Sequence, residues 1–138
     1  MDLFSKLKDK KILLVDDDEW IRDSLTLYFG TEGCHMVAVE TAEEGMELLK
    51  QQGYDIILID YKLPGMDGLT FSKKIQEMCP DTKKILITAY KTKEVVSEAR
   101  RIGIQDLIDK PFTIDTIEDS LSRLIQRNEK QIRSITSK

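Results

Sequence analysis

Residues 11–18 read KILLVDDD and residues 56–60 read IILID, and in both an unbroken aliphatic run ends abruptly in aspartate. Runs of this kind suit strands covered on both faces of a parallel sheet, whereas a sheet with one wet face gives alternating apolar and polar residues. Outward from these two, KILI at 84–87 is a third buried run, and HMVAV at 35–39 and LI at 107–108 supply weaker strands.

The intervening segments carry a helical period. Ile21, Leu25, Tyr28 and Phe29 lie at three- and four-residue spacing, which places one apolar stripe against the sheet. The second helix opens on a capping box, Thr41 with Glu44, carries Met46, Leu48 and Leu49, and stops at Gly53. The third holds Leu69, Phe71 and Ile75 and is closed by Pro80. The fourth spans about residues 93–102 through Val95, Val96 and Ala99, with Gly103 in the left-handed C-cap position. The fifth starts near Asp115 with Glu118 as a second capping box, and buries Ile117, Leu121, Leu124 and Ile125. Regular alternation of strand and helix is the signature of βαβ units. The expected class is therefore α/β: a (βα)5, doubly wound, parallel five-stranded sheet of order 2-1-3-4-5, flavodoxin-like.

The 138 residues suit one domain, with residues 1–10 as an N-terminal extension, 11–127 as the folded unit and 128–138 as a tail. Ile132 and Ile135 follow Ile125 and Asn128 at heptad spacing, so the tail either continues the fifth helix or frays. No Pro- or Ser-rich linker leads to an output domain. With 25 acidic against 21 basic residues, the chain lacks the basic excess of a nucleic-acid binder. It also lacks an apolar run long enough for a membrane span or a secretory leader, which points to the cytoplasm. Cys34 and Cys79 have no metal or redox spacing and are read as reduced, structural thiols.

Ligands of open parallel sheets bind outside the strand C-termini, where strand order reverses. The first strand runs into Asp16, Asp17 and Asp18; the third ends in Asp60, the fourth in Thr88, and the fifth leads to Lys110. In the expected order the first and third strands are neighbours, so Asp16, Asp17 and Asp60 crowd together. Close carboxylates repel, and a site of oxygen donors that relieves this by binding a cation suits Mg²⁺. With a Lys ammonium and a Thr hydroxyl on the same edge, the set is suited to phosphoryl transfer, with Asp60 as nucleophile for an acyl phosphate and Thr88 and Lys110 holding phosphoryl oxygens. Asp18 is read as a helix N-cap. Gly65 and Gly68 are read as permitting the turn after Asp60, and Pro64 as fixing its entry. The Lys110–Pro111 peptide is open to either isomer. His35 lies at the opposite sheet edge, and Trp20 is read as core filling.

In that order, LLVDDDE, IILIDYKLPGMDG, ILITAY and LIDKPF resemble the receiver domains of response regulators, of the single-domain phosphorelay or chemotaxis type, over roughly residues 11–127. The resemblance implies that Asp16, Asp17, Asp60 and the backbone carbonyl of Lys62 hold Mg²⁺, that Asp60 is phosphorylated, and that Thr88 and Lys110 contact the phosphoryl group. It implies a histidine kinase or histidine phosphotransfer protein as donor, and an unidentified downstream protein engaged through the fourth-helix, fifth-strand and fifth-helix face. The family often has an aromatic switch residue three positions before the lysine; here that position is Leu107. Lys62 and Tyr90 are large neighbours suited to shielding an acyl phosphate, and a long-lived phosphoprotein is expected. Two other readings compete: a Mg²⁺-dependent aspartate-nucleophile phosphatase, which VDDDEW matches only loosely, and a receiver-like scaffold that is never phosphorylated.

Overall fold

The computed structural model describes residues 2–136, with side chains described for residues 2–127. Five parallel strands, β1 (Ile12–Val15), β2 (Met36–Val39), β3 (Ile56–Asp60), β4 (Lys83–Thr88) and β5 (Asp106–Asp109), lie in the order β2-β1-β3-β4-β5. Helices α1 (Leu3–Leu7), α2 (Glu19–Thr31), α3 (Ala42–Gln51), α4 (Gly68–Met78), α5 (Lys93–Arg101) and α6 (Ile114–Thr136) flank the sheet.

The unbroken aliphatic runs are explained by two cores, one on each face. Ile12 and Leu14 point into a core with Leu25, Phe29, Leu58, Ile117 and Leu121, beneath α2 and α6. Leu13 and Val15 point the other way, to Ile57, Ile59, Phe71, Ile75 and Ala99, beneath α3, α4 and α5. Because successive strand side chains alternate, a strand covered on both faces must be apolar at every position.

Helix ends follow local chemistry. Asp18, Thr41, Asp67 and Thr92 are N-caps whose side-chain oxygens accept first-turn N–H groups. Thr41 accepts the Glu44 N–H at 3.1 Å as expected, while its hydroxyl also donates to the Glu44 carboxylate at 3.1 Å. At the end of α5, Gly103 (φ +89°) lets its own N–H reach Arg100 and the Ile104 N–H reach Ala99, a Schellman closure. Gly33 (φ +78°) closes α2 in the same way.

The last helix starts at Ile114, near Asp115 as expected, with Thr113 accepting the Thr116 N–H at 3.2 Å; the expected second capping box is corrected. Glu118 forms no capping box; it accepts the Tyr28 hydroxyl at 2.6 Å and so ties α6 to α2. The backbone of α6 runs to Thr136, and the placement of Ile132 and Ile135 lies outside the described side chains.

The stretch before β1 is more than an appendage. Asp2 caps α1 by accepting the Ser5 N–H at 2.9 Å. Leu7 is fully buried, and the Phe4 ring meets Tyr28 and Phe29 edge-on at 6.0 Å. A five-residue helix is too short to display a period, so only its packing reveals it. Leu7→Ala should cost about 2–5 kcal/mol, as truncation of a buried leucine does; urea unfolding measures this, and a midpoint equal to wild type would mean that α1 is not part of the core.

Candidate functional site

The strand register delivers the charged residues to one edge. Val15 pairs with Ile59, so Asp16 and Asp60 follow side by side, and Thr88, the last residue of β4, lies one step beyond the Asp60 partner Ile87. The Lys110 N–H donates to the Thr88 carbonyl at 2.9 Å, which fixes the base of the lysine against β4. Lys110 also begins the cis Lys110–Pro111 peptide. Asp17, Asp60, Lys62, Thr88, Tyr90 and Lys110 line a cleft of about 490 Å³.

Asp16, Asp17 and Asp60 each offer a carboxylate oxygen within 4.8 Å of the others. Lys110 Nζ lies 3.1 Å from Asp60 Oδ1 and 3.5 Å from Asp16 Oδ2. Asp16 is fully buried: Oδ1 accepts the Asp18 N–H at 2.9 Å, while Oδ2 has no hydrogen-bond partner and faces the Lys110 ammonium as an ion pair. Burial, reinforced by Asp16, pushes the Asp60 carboxyl up to about 6. Burial likewise raises Asp16. Lys110 is pulled down by burial, but the carboxylates Asp16 and Asp60 outweigh this and hold it above its ordinary value. Three carboxylates against one ammonium, with a buried oxygen left unbonded, is a donor set short of positive charge. Oxygen donors alone fit a hard divalent cation such as Mg²⁺.

Several neighbours carried no signal in the sequence. Arg22 donates to the Asp16 carbonyl at 2.9 Å and fixes the turn that carries the acids. Glu43 accepts the Met66 N–H at 3.4 Å and steadies the loop after β3. In that loop Gly65 has φ +73°, as a turn glycine should. Gly68 serves differently: its φ is ordinary, but a Cβ there would collide with the Asp60 carbonyl oxygen and stand 2.8 Å from Tyr61 Cα. Its N–H donates to the Tyr61 carbonyl at 2.8 Å.

The response regulator receiver domain model matches residues 12–122. The chain belongs to this family. The receiver is 29% identical over 119 residues to sporulation initiation phosphotransferase F of Bacillus subtilis, covering 86% of this chain and 96% of that protein. It is 35% identical over 115 residues to the response regulator protein FleR of Pseudomonas aeruginosa, covering 82% of this chain but only 24% of that longer protein. Among solved structures, a CheY-like receiver domain from Methanospirillum hungatei superposes with a TM-score of 0.82 at 30% identity, covering 88% of this chain and 98% of the other. TrrA of Thermotoga maritima, in complex with Mg²⁺ and BeF, gives 0.74 at 29% identity, covering 83% and 98%.

In this receiver Asp18 is the expected cap, accepting the Trp20 and Ile21 N–H groups at 2.9 and 3.2 Å. Trp20 is corrected: it is 76% exposed on α2 and fills no core, because the stripe facing the sheet is Leu25 and Phe29. Both cysteines are free thiols, Cys34 buried and Cys79 half-buried. Leu107 is half-buried against the core beneath α5.

The raised Asp60 carboxyl makes stability depend on pH. Between 3.8 and about 6 the folded chain keeps a proton that the unfolded chain has lost, so stability falls as pH rises through that window and the full cost is present above it. At ~1.4 kcal/mol per pH unit the cost is on the order of 3 kcal/mol. In chelator at pH 7.5, Asp60→Asn should therefore unfold at higher urea than wild type, and the gain should vanish below about pH 4. A midpoint unchanged at both pH values would mean that this carboxylate carries no burial cost.

Proposed function

We propose that Asp60 is the phosphoacceptor of this receiver and that phosphorylation changes its affinity for partner proteins. The observation that carries the reading is that, of the two buried carboxylates, Asp60 alone opens on the cleft, and it does so beside Lys110 and Thr88. The donor is a phosphohistidine of a histidine kinase or of a histidine phosphotransfer protein. Mg²⁺ held by Asp16, Asp17, Asp60 and the Lys62 backbone carbonyl supplies neutralisation of the phosphoryl oxygens. An Asp60 carboxylate oxygen forms the new bond to phosphorus, the bond from phosphorus to the donor imidazole breaks, and the imidazole leaves with that electron pair and takes a proton from solvent. Lys110 binds a phosphoryl oxygen through its ammonium and Thr88 donates its hydroxyl to another.

The second role of Thr88 supports a switch. Its hydroxyl oxygen accepts the Tyr90 N–H at 2.8 Å, so turning it toward a phosphoryl oxygen gives up that bond and frees residues 89–91. With Leu107 in place of a ring, the response runs through this loop to the face formed by α5, β5 and α6, where a downstream protein is engaged.

The phosphatase alternative is disfavoured. The Asp18 carboxylate is engaged in capping α2, and Asp16 is fully buried, so neither presents a nucleophile to a substrate. We take the chemistry to be limited to transfer onto Asp60 and its hydrolysis. Residues 11–127 are assigned as the receiver domain, with residues 1–10 and 128–138 flanking it. Among the described residues no helix is long and apolar enough to cross a membrane, which supports a cytoplasmic site of action.

Incubation with a small phosphodonor and Mg²⁺ should give a single phosphoryl adduct by intact mass, absent from Asp60→Asn and in chelator. No adduct on the wild type would favour a scaffold, and an adduct surviving in Asp60→Asn would name another nucleophile. The lifetime of that adduct is set by the cleft mouth, where Lys62 Nζ lies 5.5 Å above the Tyr90 ring and Tyr61 meets Tyr90 edge-on at 6.4 Å. Lys62→Ala and Tyr90→Ala should each shorten the half-life. The double variant should lose less than the product of the two effects, because the residues shield as a pair. Full multiplicativity would show that they act separately.

A further inference from the structure

At the end of the sheet opposite the cleft, where β3 and β4 begin, a separate cavity of about 280 Å³ joins charges of both signs to an aliphatic floor. Buried Ile56 and Leu124 and half-buried Ile125 form the floor, and Lys10, Lys83, Asp55 and Asp81 stand around it. The strand register explains one of the lysines. Lys83 pairs with Ile56, and alternation along β4 puts it on the same face as Ile85 and Ile87, while Lys84 turns to the other face and donates to Gln76 of α4 at 2.6 Å. A position that the period of the strand reserves for an aliphatic side chain therefore holds a half-buried ammonium. Charge placed in this way is costly unless it is paired.

The four charged groups do not satisfy one another. Among the described residues neither Lys10 nor Lys83 forms an ion pair, the Asp81 carboxylate has no partner, and Asp55 uses only Oδ2, which accepts the Lys11 N–H at 2.7 Å. Their backbone is nevertheless fixed. The Lys83 N–H donates to the Asp55 carbonyl at 2.9 Å, and the Lys10 N–H to the carbonyl of Leu7, the last residue of α1, at 3.0 Å. Lys10, Leu124 and Ile125 lie outside residues 12–122, so the cavity is not a feature of the span that matches the family alone.

We propose that this cavity binds a free aliphatic α-amino acid. The α-carboxylate is met by the ammoniums of Lys10 and Lys83, the α-ammonium by Asp55 and Asp81, and the aliphatic side chain covers Ile56, Leu124 and Ile125. Walls of both signs select a zwitterion over a simple acid or amine, because either of those leaves one pair of like charges unmatched. The volume stands at the lower end of small-molecule sites, which suits an amino acid, and the phosphates of a nucleotide would face Asp55 and Asp81. Binding here is separate from phosphorylation, since Asp60 lies at the far end of β3.

The test is isothermal titration calorimetry on the full chain with L-leucine, and with glycine, isocaproate and isoamylamine, which lack in turn the aliphatic body, the ammonium and the carboxylate. L-Leucine should bind saturably, and each of the other three about tenfold more weakly or worse, having lost either the apolar contact or one set of charge-assisted bonds. Lys83→Gln and Asp81→Asn should each weaken leucine binding about tenfold or more, with circular dichroism showing an intact fold, while Asp60→Asn should bind leucine as the wild type does. Absence of saturable leucine binding, wild-type affinity in both cavity variants, or isocaproate or isoamylamine binding as tightly as leucine would overturn the proposal. Leucine binding lost in Asp60→Asn and kept in the cavity variants would place the ligand in the acidic cleft, and that outcome overturns it as well.

Discussion

The rest of this molecule is arranged around a shortage of positive charge. A parallel sheet brings the ends of β1 and β3 together, and the carboxylates at those ends come within 4.8 Å of each other with, among the described residues, one ammonium in contact, that of Lys110. Each cause of the perturbed site is visible in its surroundings: burial raises Asp60 and Asp16, and Asp16 raises Asp60 further. An unbonded oxygen in a dry site is costly, and a cation among the three carboxylates would relieve the Asp16 oxygen that has no hydrogen-bond partner. Three carboxylates held this close are a disfavoured arrangement, maintained by the two cores on either side of the sheet.

Holding it requires backbone of particular shapes. Gly68 begins α4 so close to β3 that no side chain fits above the Asp60 carbonyl, and Ser72 bonds back to the Gly68 carbonyl at 2.7 Å. Arg22 anchors the turn after β1, Glu43 the loop after β3, and the Thr88 carbonyl the lysine after β5. The carboxylates are therefore positioned by contacts from α2, α3 and α4, and α1 joins the core beneath α2 and α6 through Leu7. Packing far from the cleft decides how closely the charges are forced together.

How much of this was legible follows from which interactions are periodic. β1, β3 and β4 were readable because burial on both faces demands aliphatic residues at every position, and Asp16, Asp60 and Thr88 followed by counting to the strand ends. Leu25 and Phe29 showed the inward stripe of α2, but Trp20 did not show that it faces out, since a large apolar residue at a helix start is compatible with either side. Glu118 mimicked a capping box three residues after Asp115, yet the cap is Thr113 and the glutamate is taken by a hydroxyl ninety positions away in sequence. Contacts of that range leave no local pattern. The helix at Leu3–Leu7 was invisible for the opposite reason: its stability is tertiary, coming from Phe4 and Leu7 against α2, and five residues contain too little period to announce it.

The size of the switch is bounded by what changes at Thr88. A phosphoryl group shifts a conformational equilibrium only by its differential interaction with the two states. Under the proposed phosphorylation of Asp60, Thr88 would exchange one neutral hydrogen bond to the Tyr90 N–H, worth about 1 kcal/mol net, for one charge-assisted bond to a phosphoryl oxygen, worth about 1.5–3 kcal/mol. The difference, about 0.5–2 kcal/mol, corresponds to roughly two- to thirtyfold in a population ratio. A family aromatic that moved inward at position 107 would add its burial to that sum, but Leu107 is already half-buried and has no ring to bring in. Tyr90, 51% exposed, does have apolar surface to rearrange, and it lies one residue from Lys91. Under that reading the energetic weight of switching falls on residues 88–92.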